Sequence, residues 1–450
     1  MKYEIISGEC IDLSFEGKGV LKTDKGIVFV DGLFIGEKAE AKVLYTRAGV
    51  MFGKVHRLIE KSPDRIQPRC GVCTACGGCQ FQQLSYNAQL KYKTNKVKDA
   101  LNRHLGKDIK VKDCLGMDNP YNYRNKIQVP IGRDPHGHIV SGFYRANSHE
   151  IIPVEDCSIE DVRASQIVKS IKKLMKEFHY EPYDEDKGTG LIRHVLIRTS
   201  YHYKEIMVTL VTTMDEFKGK NNFVKALVSS NKDIVSVVQN INKRHTNVIL
   251  GEKERVLYGK SFIKDDILGV TFHISSKSFY QVNPIQVEVL YSKAIELARL
   301  TKEDKVFDAY CGIGTIGLIA SKKCKEVLGV EIVKDAIINA NNNVKLNKID
   351  NAKFICGDAG KTLESLLNDG VKFDCVFVDP PRKGLDELFI NSLLSVEPNR
   401  IIYVSCEPET LARDLKLLSK KYKINEVQPV DMFPMTYHVE TVVNLCLKRN

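Results

Sequence analysis

At 450 residues, with 43% hydrophobic and 27% charged side chains, the chain is long enough for about three globular cores and has no apolar run able to span a bilayer. Lys and Arg number 67 against 56 Asp and Glu, and the net charge of +11 favours a polyanionic partner over a small acidic metabolite. Thirteen cysteines behind an opening, Met1-Lys2-Tyr3-Glu4-Ile5, that lacks a leader pattern point to a reducing, cytoplasmic setting, where thiols serve metals, catalysis or burial.

In chain order, strands are expected at Tyr3 to Leu13, Ile27 to Val30 and Glu37 to Leu44, separated by glycine turns. Short strands so closely spaced predict a small OB-like β-barrel over residues 1–60. Its lysines 18, 22, 25, 38 and 42 suit contact with a phosphate backbone. The run Ser14-Phe15-Glu16-Gly17-Lys18-Gly19-Val20 resembles the TRAM domain of RNA-modifying enzymes.

Residues 61–92 hold Cys70, Cys73, Cys76 and Cys79 at every third position, with Gly77-Gly78 allowing a tight wrap round a ligand. Four thiolates so spaced suit zinc or an iron–sulfur cluster. A basic helix follows from Ala88 to Leu105, carrying Lys91, Lys93, Lys96 and Lys98. A central α+β domain is expected over 93–270, with strands at Asn125 to Ile131, Gly190 to Thr199 and Glu205 to Thr212 and a helix from Val162 to Phe178.

The last third, 271–450, alternates strand and helix. Strands at Lys305 to Tyr310, Glu326 to Ile332, Ala352 to Cys356, Asp374 to Asp379 and Arg400 to Ser405 interleave with helices such as Lys334 to Leu346 and Glu409 to Lys420. The pattern predicts a doubly wound parallel sheet, with Asn425 to Asp431 and Glu440 to Leu447 as an antiparallel edge. The fold class is therefore α/β, a Rossmann-like C-terminal domain preceded by a β-barrel and a central α+β domain.

The first strand of that sheet runs into Asp308-Ala309-Tyr310-Cys311-Gly312-Ile313-Gly314-Thr315-Ile316-Gly317, and Glu331 ends the second. A glycine turn followed by a strand-end acid binds a nucleoside cofactor, either a dinucleotide or S-adenosylmethionine. Asp379-Pro380-Pro381-Arg382 after the fourth strand favours the sulfonium, because two prolines fix an acid over the crevice. It is similar to the Asp/Asn-Pro-Pro loop of amino methyltransferases. Arg382 stands where those enzymes stack an aromatic ring, which points away from N-methylation.

With Tyr403-Val404-Ser405-Cys406-Glu407-Pro408, Leu411-Ala412-Arg413-Asp414, Thr436-Tyr437-His438-Val439-Glu440-Thr441, Phe279-Tyr280-Gln281-Val282-Asn283, Tyr123-Arg124-Asn125-Lys126 and Leu191-Ile192-Arg193-His194, the chain resembles the RNA uracil-5-methyltransferase family through nearly its whole length. The resemblance implies methyl transfer from S-adenosylmethionine to C5 of a uridine. Cys406 is then the nucleophile that adds to C6 and Glu440 the base that removes the C5 proton. It also implies cofactor contacts from Gln281, Tyr310, Thr315, Glu331, Asp358 and Asp379.

The barrel and the cysteines resemble the 23S ribosomal RNA branch, whose C-x5-C-G-G-C pattern and distant cysteine bind a [4Fe-4S] cluster. That implies Cys70, Cys76, Cys79 and Cys157 as ligands, with Cys73 competing with Cys157 for the fourth place. Candidate contacts to the ribosomal RNA are Arg124, Lys126, Arg193 and Arg198, and a monomer is expected. Transfer-RNA methylation and a non-catalytic ribosome-assembly factor are the alternatives. A radical methylthiotransferase is excluded because the cysteines lack the C-x3-C-x2-C spacing.

Overall fold

The computed structural model describes residues 4–145 and 148–448. Five strands, β1 (Ile5–Leu13), β2 (Gly19–Thr23), β3 (Gly26–Asp31), β4 (Lys38–Arg47) and β5 (Val50–Glu60), close a barrel in the order β1-β2-β3-β5-β4. Alternation drives closure, since Val28 and Val30 point inward onto Cys10, Leu21, Leu33, Ala39 and Ala41 while Phe29 points out. The expected first strand began at Tyr3, which lies outside the described residues. Sequence patterning missed β2 and β5.

A four-residue helix, α1 (Cys73–Cys76), ends on left-handed Gly77 and leads to α2 (Tyr86–Leu105), whose N-cap Ser85 accepts from Ala88 N. Although rich in lysine, α2 is not a solvated face. It crosses residue 92 and sets Val97, Ala100 and Leu101 into the core of the C-terminal sheet. Lys93 and Lys96 are buried on the same stripe.

The central region comprises β6 (Lys126–Arg133), β7 (Ile139–Tyr144), β8 (Ile151–Pro153), α3 (Val162–Glu177), β9 (Ile192–Thr199), β10 (Ile206–Thr212), α4 (Lys220–Ser230), β11 (Ile234–Ile241) and β12 (Lys253–Gly259). Its seven strands run β12-β11-β10-β9-β6-β7-β8, and α3 and α4 share one apolar core with them. A hairpin, β13 (Phe262–Ile267) and β14 (Val270–Ser275), then packs with α5 (Pro284–Ala298) into the core of the C-terminal sheet, so that residue 270 lies inside one packed unit.

That C-terminal unit follows the expected alternation: β15 (Lys305–Ala309), α6 (Thr315–Ser321), β16 (Glu326–Glu331), α7 (Lys334–Leu346), β17 (Ala352–Cys356), α8 (Ala359–Asn368), β18 (Cys375–Val378), α9 (Glu387–Val396), β19 (Arg400–Ser405), α10 (Pro408–Leu418), β20 (Tyr422–Val430) and β21 (Glu440–Leu447). The order β17-β16-β15-β18-β19-β21-β20 is parallel up to β19 and antiparallel for the last two strands. Strand order reverses between β15 and β18, which opens a crevice at their carboxyl ends.

Candidate active site

The residues that follow β15, β16, β18 and β19 converge on this crevice. Gly314 has φ 83°, and a Cβ there would meet the Phe354 ring at 2.8 Å, so only glycine lets the chain turn into α6. Buried Asp308 accepts from Gly317 N at 2.8 Å and fixes the turn from below. Burial, with Asp379 and Glu331 close by, pushes its carboxyl up to about 8. Glu331 accepts from Gly312 N at 3.3 Å and from Val333 N at 2.9 Å, placing its carboxylate against the glycine turn. Asp358 caps α8 through Lys361 N at 3.0 Å. Tyr310, left-handed at φ 61°, sets its ring edge-on to Phe389 at 5.5 Å.

A second layer of contacts holds the Pro-Pro loop against the Cys406 turn. Asp414 on α10 accepts from Tyr403 Oη at 2.7 Å and from Leu385 N at 2.8 Å, while Arg413 donates to the carbonyls of Lys383 and Leu385 at 2.9 and 3.1 Å. Gly384, at φ 76°, passes so close that a Cβ would lie 2.6 Å from both side chains. The Leu411-to-Asp414 motif is thus a clamp that fixes Asp379 relative to Cys406. Cys406 itself leaves β19 through a turn in which Ser405 Oγ accepts from Glu407 N at 3.2 Å, just ahead of Pro408 opening α10.

The segment that delivers Glu440 is pinned by α2. Lys93 Nζ, fully buried, donates to Asp431 at 2.5 Å and to Phe433 O at 3.0 Å. Gln89 Oε1 accepts from left-handed Met435 N at 3.0 Å, and Lys96 Nζ bridges Phe15 O in the barrel at 2.8 Å and Tyr437 O at 3.1 Å. By sequence this helix reads as basic, with no role in the site for Lys93 and Lys96. The available signal was their spacing, since Gln89, Lys93, Lys96, Val97, Ala100 and Leu101 form one helical stripe.

One cleft of about 1280 Å³ joins the parts. Its walls include Gln281, Tyr310, Thr315, Glu331, Asp358, Asp379, Cys406 and Glu440, the full set of expected cofactor and catalytic residues. The volume exceeds the roughly 300–1,000 Å³ of an ordinary small-molecule pocket, leaving room for a cofactor and a nucleobase together. Asp308, Asp379, Glu331 and Glu440 bring four carboxyl groups to the cleft, which Arg124, Lys277, Arg382 and Lys383 also line.

Burial dominates the titration of the chemical groups. It pushes the Cys406 thiol up to about 12, with Glu440 and Asp379 adding repulsion and Arg382 opposing them. Asp379 rises to about 7. Burial and Asp379 lift Glu440 well above the usual carboxylate range, again against Arg382. His438, absent from the sequence-derived catalytic set, also lines the cleft between Phe433 and Tyr437, with ring centroids 6.0 and 4.2 Å away. Burial lowers it to about 4, so it stands neutral near pH 7.

The four cations expected to touch RNA separate. Arg124 lines the cleft, its Nε donating to Lys126 O at 3.1 Å. Lys126 is half-buried, and burial with Arg198 and Arg124 nearby lowers it to about 8. The other two face inward. Arg193 is buried and forks onto Glu185 at 3.0 Å while donating to Arg244 O at 2.6 Å. Arg198 is buried and donates to Ser276 O at 3.3 Å and to Ser278 O, bracing the strand that leads into Gln281.

Cys79 and Cys157 pack together on Met117, Tyr123, Ile159 and Met435. Burial pushes the Cys79 thiol up to about 11, with Cys76, Cys70 and Cys73 contributing, and the Cys157 thiol up to about 12, with Glu160 and Cys79 contributing. Cys79 thus lies within electrostatic reach of the other four thiols. Gly78, between Cys76 and Cys79, forms part of the cleft wall.

From residue 85 to residue 449 the chain matches the tRNA (uracil-5-)-methyltransferase family. It belongs to that family. An "uncharacterized RNA methyltransferase" of Halalkalibacterium halodurans is 44% identical over 450 residues, covering 99% of this chain and 98% of that one. One of Clostridium acetobutylicum is 46% identical over 437 residues, 96% and 95% of the two chains. The crystal structure of Pyrococcus abyssi tRNA (uracil-54, C5)-methyltransferase in complex with S-adenosyl-L-homocysteine shares the fold with a TM-score of 0.79 at 28% identity, over 98% of this chain and 100% of that one. The protein is therefore an enzyme, an S-adenosylmethionine-dependent RNA (uracil-5-)-methyltransferase. As in the sequence reading, no helix among the described residues is long and apolar enough to cross a membrane.

Proposed function

We propose that this methyltransferase modifies C5 of a uridine in 23S ribosomal RNA through a covalent bond between Cys406 and C6 of the base. The observation that carries the mechanism is the shared cleft, whose lining includes the Cys406 thiol, the buried Glu440 carboxyl and the expected cofactor residues. C5 of uracil is too weak a nucleophile to be methylated unaided. Cys406, as thiolate, adds to C6 and moves the double-bond electrons toward C5. S-adenosylmethionine supplies an electrophilic methyl group, with Glu331, Asp358, Tyr310, Thr315, Gln281 and Asp379 as its binding residues. After C5 is methylated, Glu440 takes the C5 proton. The C6–sulfur bond then breaks, Cys406 leaves as thiolate and the ring regains its double bond.

A uridine within a helix cannot be reached this way, so the base must be extruded into the cleft, with Arg124 and Lys126 placed to meet the adjoining backbone. The ribosomal assignment is supported by the closed barrel combined with the cysteine segment. Cys70, Cys76, Cys79 and Cys157 fit a [4Fe-4S] cluster in donor chemistry, being free thiols with Cys79 near both the Cys70–Cys76 turn and Cys157, with Cys73 the alternative fourth ligand. Such a cluster would brace Gly78 and the Cys157 segment, a structural task. Anaerobic preparation should give iron and sulfide in equal amounts, and zinc alone would overturn the cluster.

Digestion and mass spectrometry of RNA from cells with and without the protein tests the substrate. Loss of 5-methyluridine from 23S RNA is expected. Loss from transfer RNA alone, the class named for the Pyrococcus abyssi relative, would overturn the ribosomal assignment.

A further inference from the structure

The barrel carries an aromatic row on its outside. Strand register aligns Val20 with Phe29, Phe29 with Phe52 and Phe52 with Tyr45 across β2, β3, β5 and β4. The rings stack in sequence: Phe29 on Phe52 with centroids 5.6 Å apart and planes 28° apart, and Phe52 on Tyr45 at 5.0 Å and 15°. Internal packing does not explain the end of the column, because Tyr45 remains 55% exposed and neighbouring Leu44 45%.

Cations flank the row on both sides. Lys22, Arg47 and Lys54 each stand two residues from a member of the row, on the same outward face of their strands. Register puts Lys22 and Arg47 on one side, level with Ile27 and Val50, and Lys54 on the other, level with Asp31. All three are exposed and have no ion-pair partner among the described residues. Of the carboxylates around them, Asp31 is engaged by Lys18 and Glu40 by Arg57, and Glu9 stands opposite Lys22 in the β1–β2 register. The barrel surface is thus apolar, aromatic and net positive along one line.

We infer that the Phe29–Phe52–Tyr45 column is a stacking platform for single-stranded RNA, with a base adding to the open face of Tyr45 and Lys22, Arg47 and Lys54 meeting the phosphates on either side. This rests on the reading of RNA as the enzyme's substrate. Stacking on aromatic faces within a basic groove is how single strands are held without regard to sequence. A duplex is a poor occupant, since its base faces are already covered. Cleft and platform then divide the work, one handling the target base and the other a neighbouring unpaired stretch.

The chain contains no tryptophan, so Tyr45→Trp in the full-length enzyme gives a single fluorophore at the platform. Titration with a mixed-sequence single-stranded RNA of about twelve nucleotides, within the known 4–16 nucleotide range of one such barrel, should quench it saturably. The matching duplex should quench it far less. Tyr45→Ser should weaken binding of the same labelled strand by about tenfold, and Arg47→Gln or Lys54→Gln should each reduce the salt slope by about 0.7. Methyl transfer to ribosomal RNA transcripts by the unaltered enzyme scores the substrate reading independently. Transfer without any quench would overturn the platform and leave the enzyme's function standing. Absence of both transfer and quench would overturn both. Emission that responds to protein concentration and not to RNA would identify a second copy as the occupant and also overturn the platform.

Discussion

In the C-terminal sheet the reactive side chains are sunk inside, with Glu440 5% exposed at the start of β21, whereas the barrel turns its rings outward and leaves Tyr45 55% exposed. Burial changes what a group is chemically. It pushes the Cys406 thiol and the Asp379 and Glu440 carboxyls toward their protonated forms, so the sheet holds reactivity in reserve until a cationic cofactor and a base enter. On the proposals above, catalysis falls to one region and retention of the polymer to the other.

The hardest test of that division is Cys406→Ala, which should lower methyl transfer by about four orders of magnitude or more while RNA affinity stays within about twofold, measured by methyl incorporation and by strand binding. Substantial turnover would erase the division. Next in size is Lys93→Met, which leaves Asp431 buried without its cation and should cost about 3–5 kcal/mol in thermal or denaturant unfolding. Because Lys93 also holds Phe433 O, kcat should fall more than RNA affinity.

Smaller effects concern protons. With a thiol at about 12, alkylation of Cys406 in the free enzyme should rise about tenfold per pH unit through the neutral and mildly alkaline range, and Asp379→Asn should speed it at fixed pH by removing a negative neighbour. A pH-independent rate would contradict the buried setting. Asp379 and Asp308 have folded pKa values of about 7 and about 8, raised above their unfolded values, so the folded state binds more protons than the unfolded one. Their contribution to stability is therefore full in acid below about 4 and is lost as pH rises through about 7–8. The unfolding midpoint of the ligand-free enzyme should fall across that window, and Asp379→Asn should flatten the fall.

The parallel sheet was legible because its strands are continuous apolar runs closed by glycine or proline, and its chemistry sits at their ends, where position in sequence maps directly to position in the crevice. Cys406, Asp379 and Glu331 were readable for that reason. In the barrel, β5 follows its short apolar start Val50-Met51-Phe52 with Gly53, Lys54, His56 and Arg57, and a register shift breaks its alternation, so patterning passed over it. The inward placement of a charged side chain is less legible, because its partners come from other elements. Lys93 is buried against Asp431, 338 positions away, and Arg193 and Arg198 turn inward to groups contributed by other elements. For Lys93 the one local mark is its place on the buried stripe of α2. The aromatic row was equally hidden, because Phe29, Tyr45 and Phe52 come together only through strand register.

The most direct measurement on the central claim uses Glu440→Gln, which retains the nucleophile but lacks the base. Incubated with S-adenosylmethionine and substrate RNA, then denatured and digested, it should yield a 5-methylated uridine bound covalently to the peptide containing Cys406. A variant that turns over normally with no such adduct, or an adduct on any other cysteine, would contradict the assignment of Cys406 and Glu440.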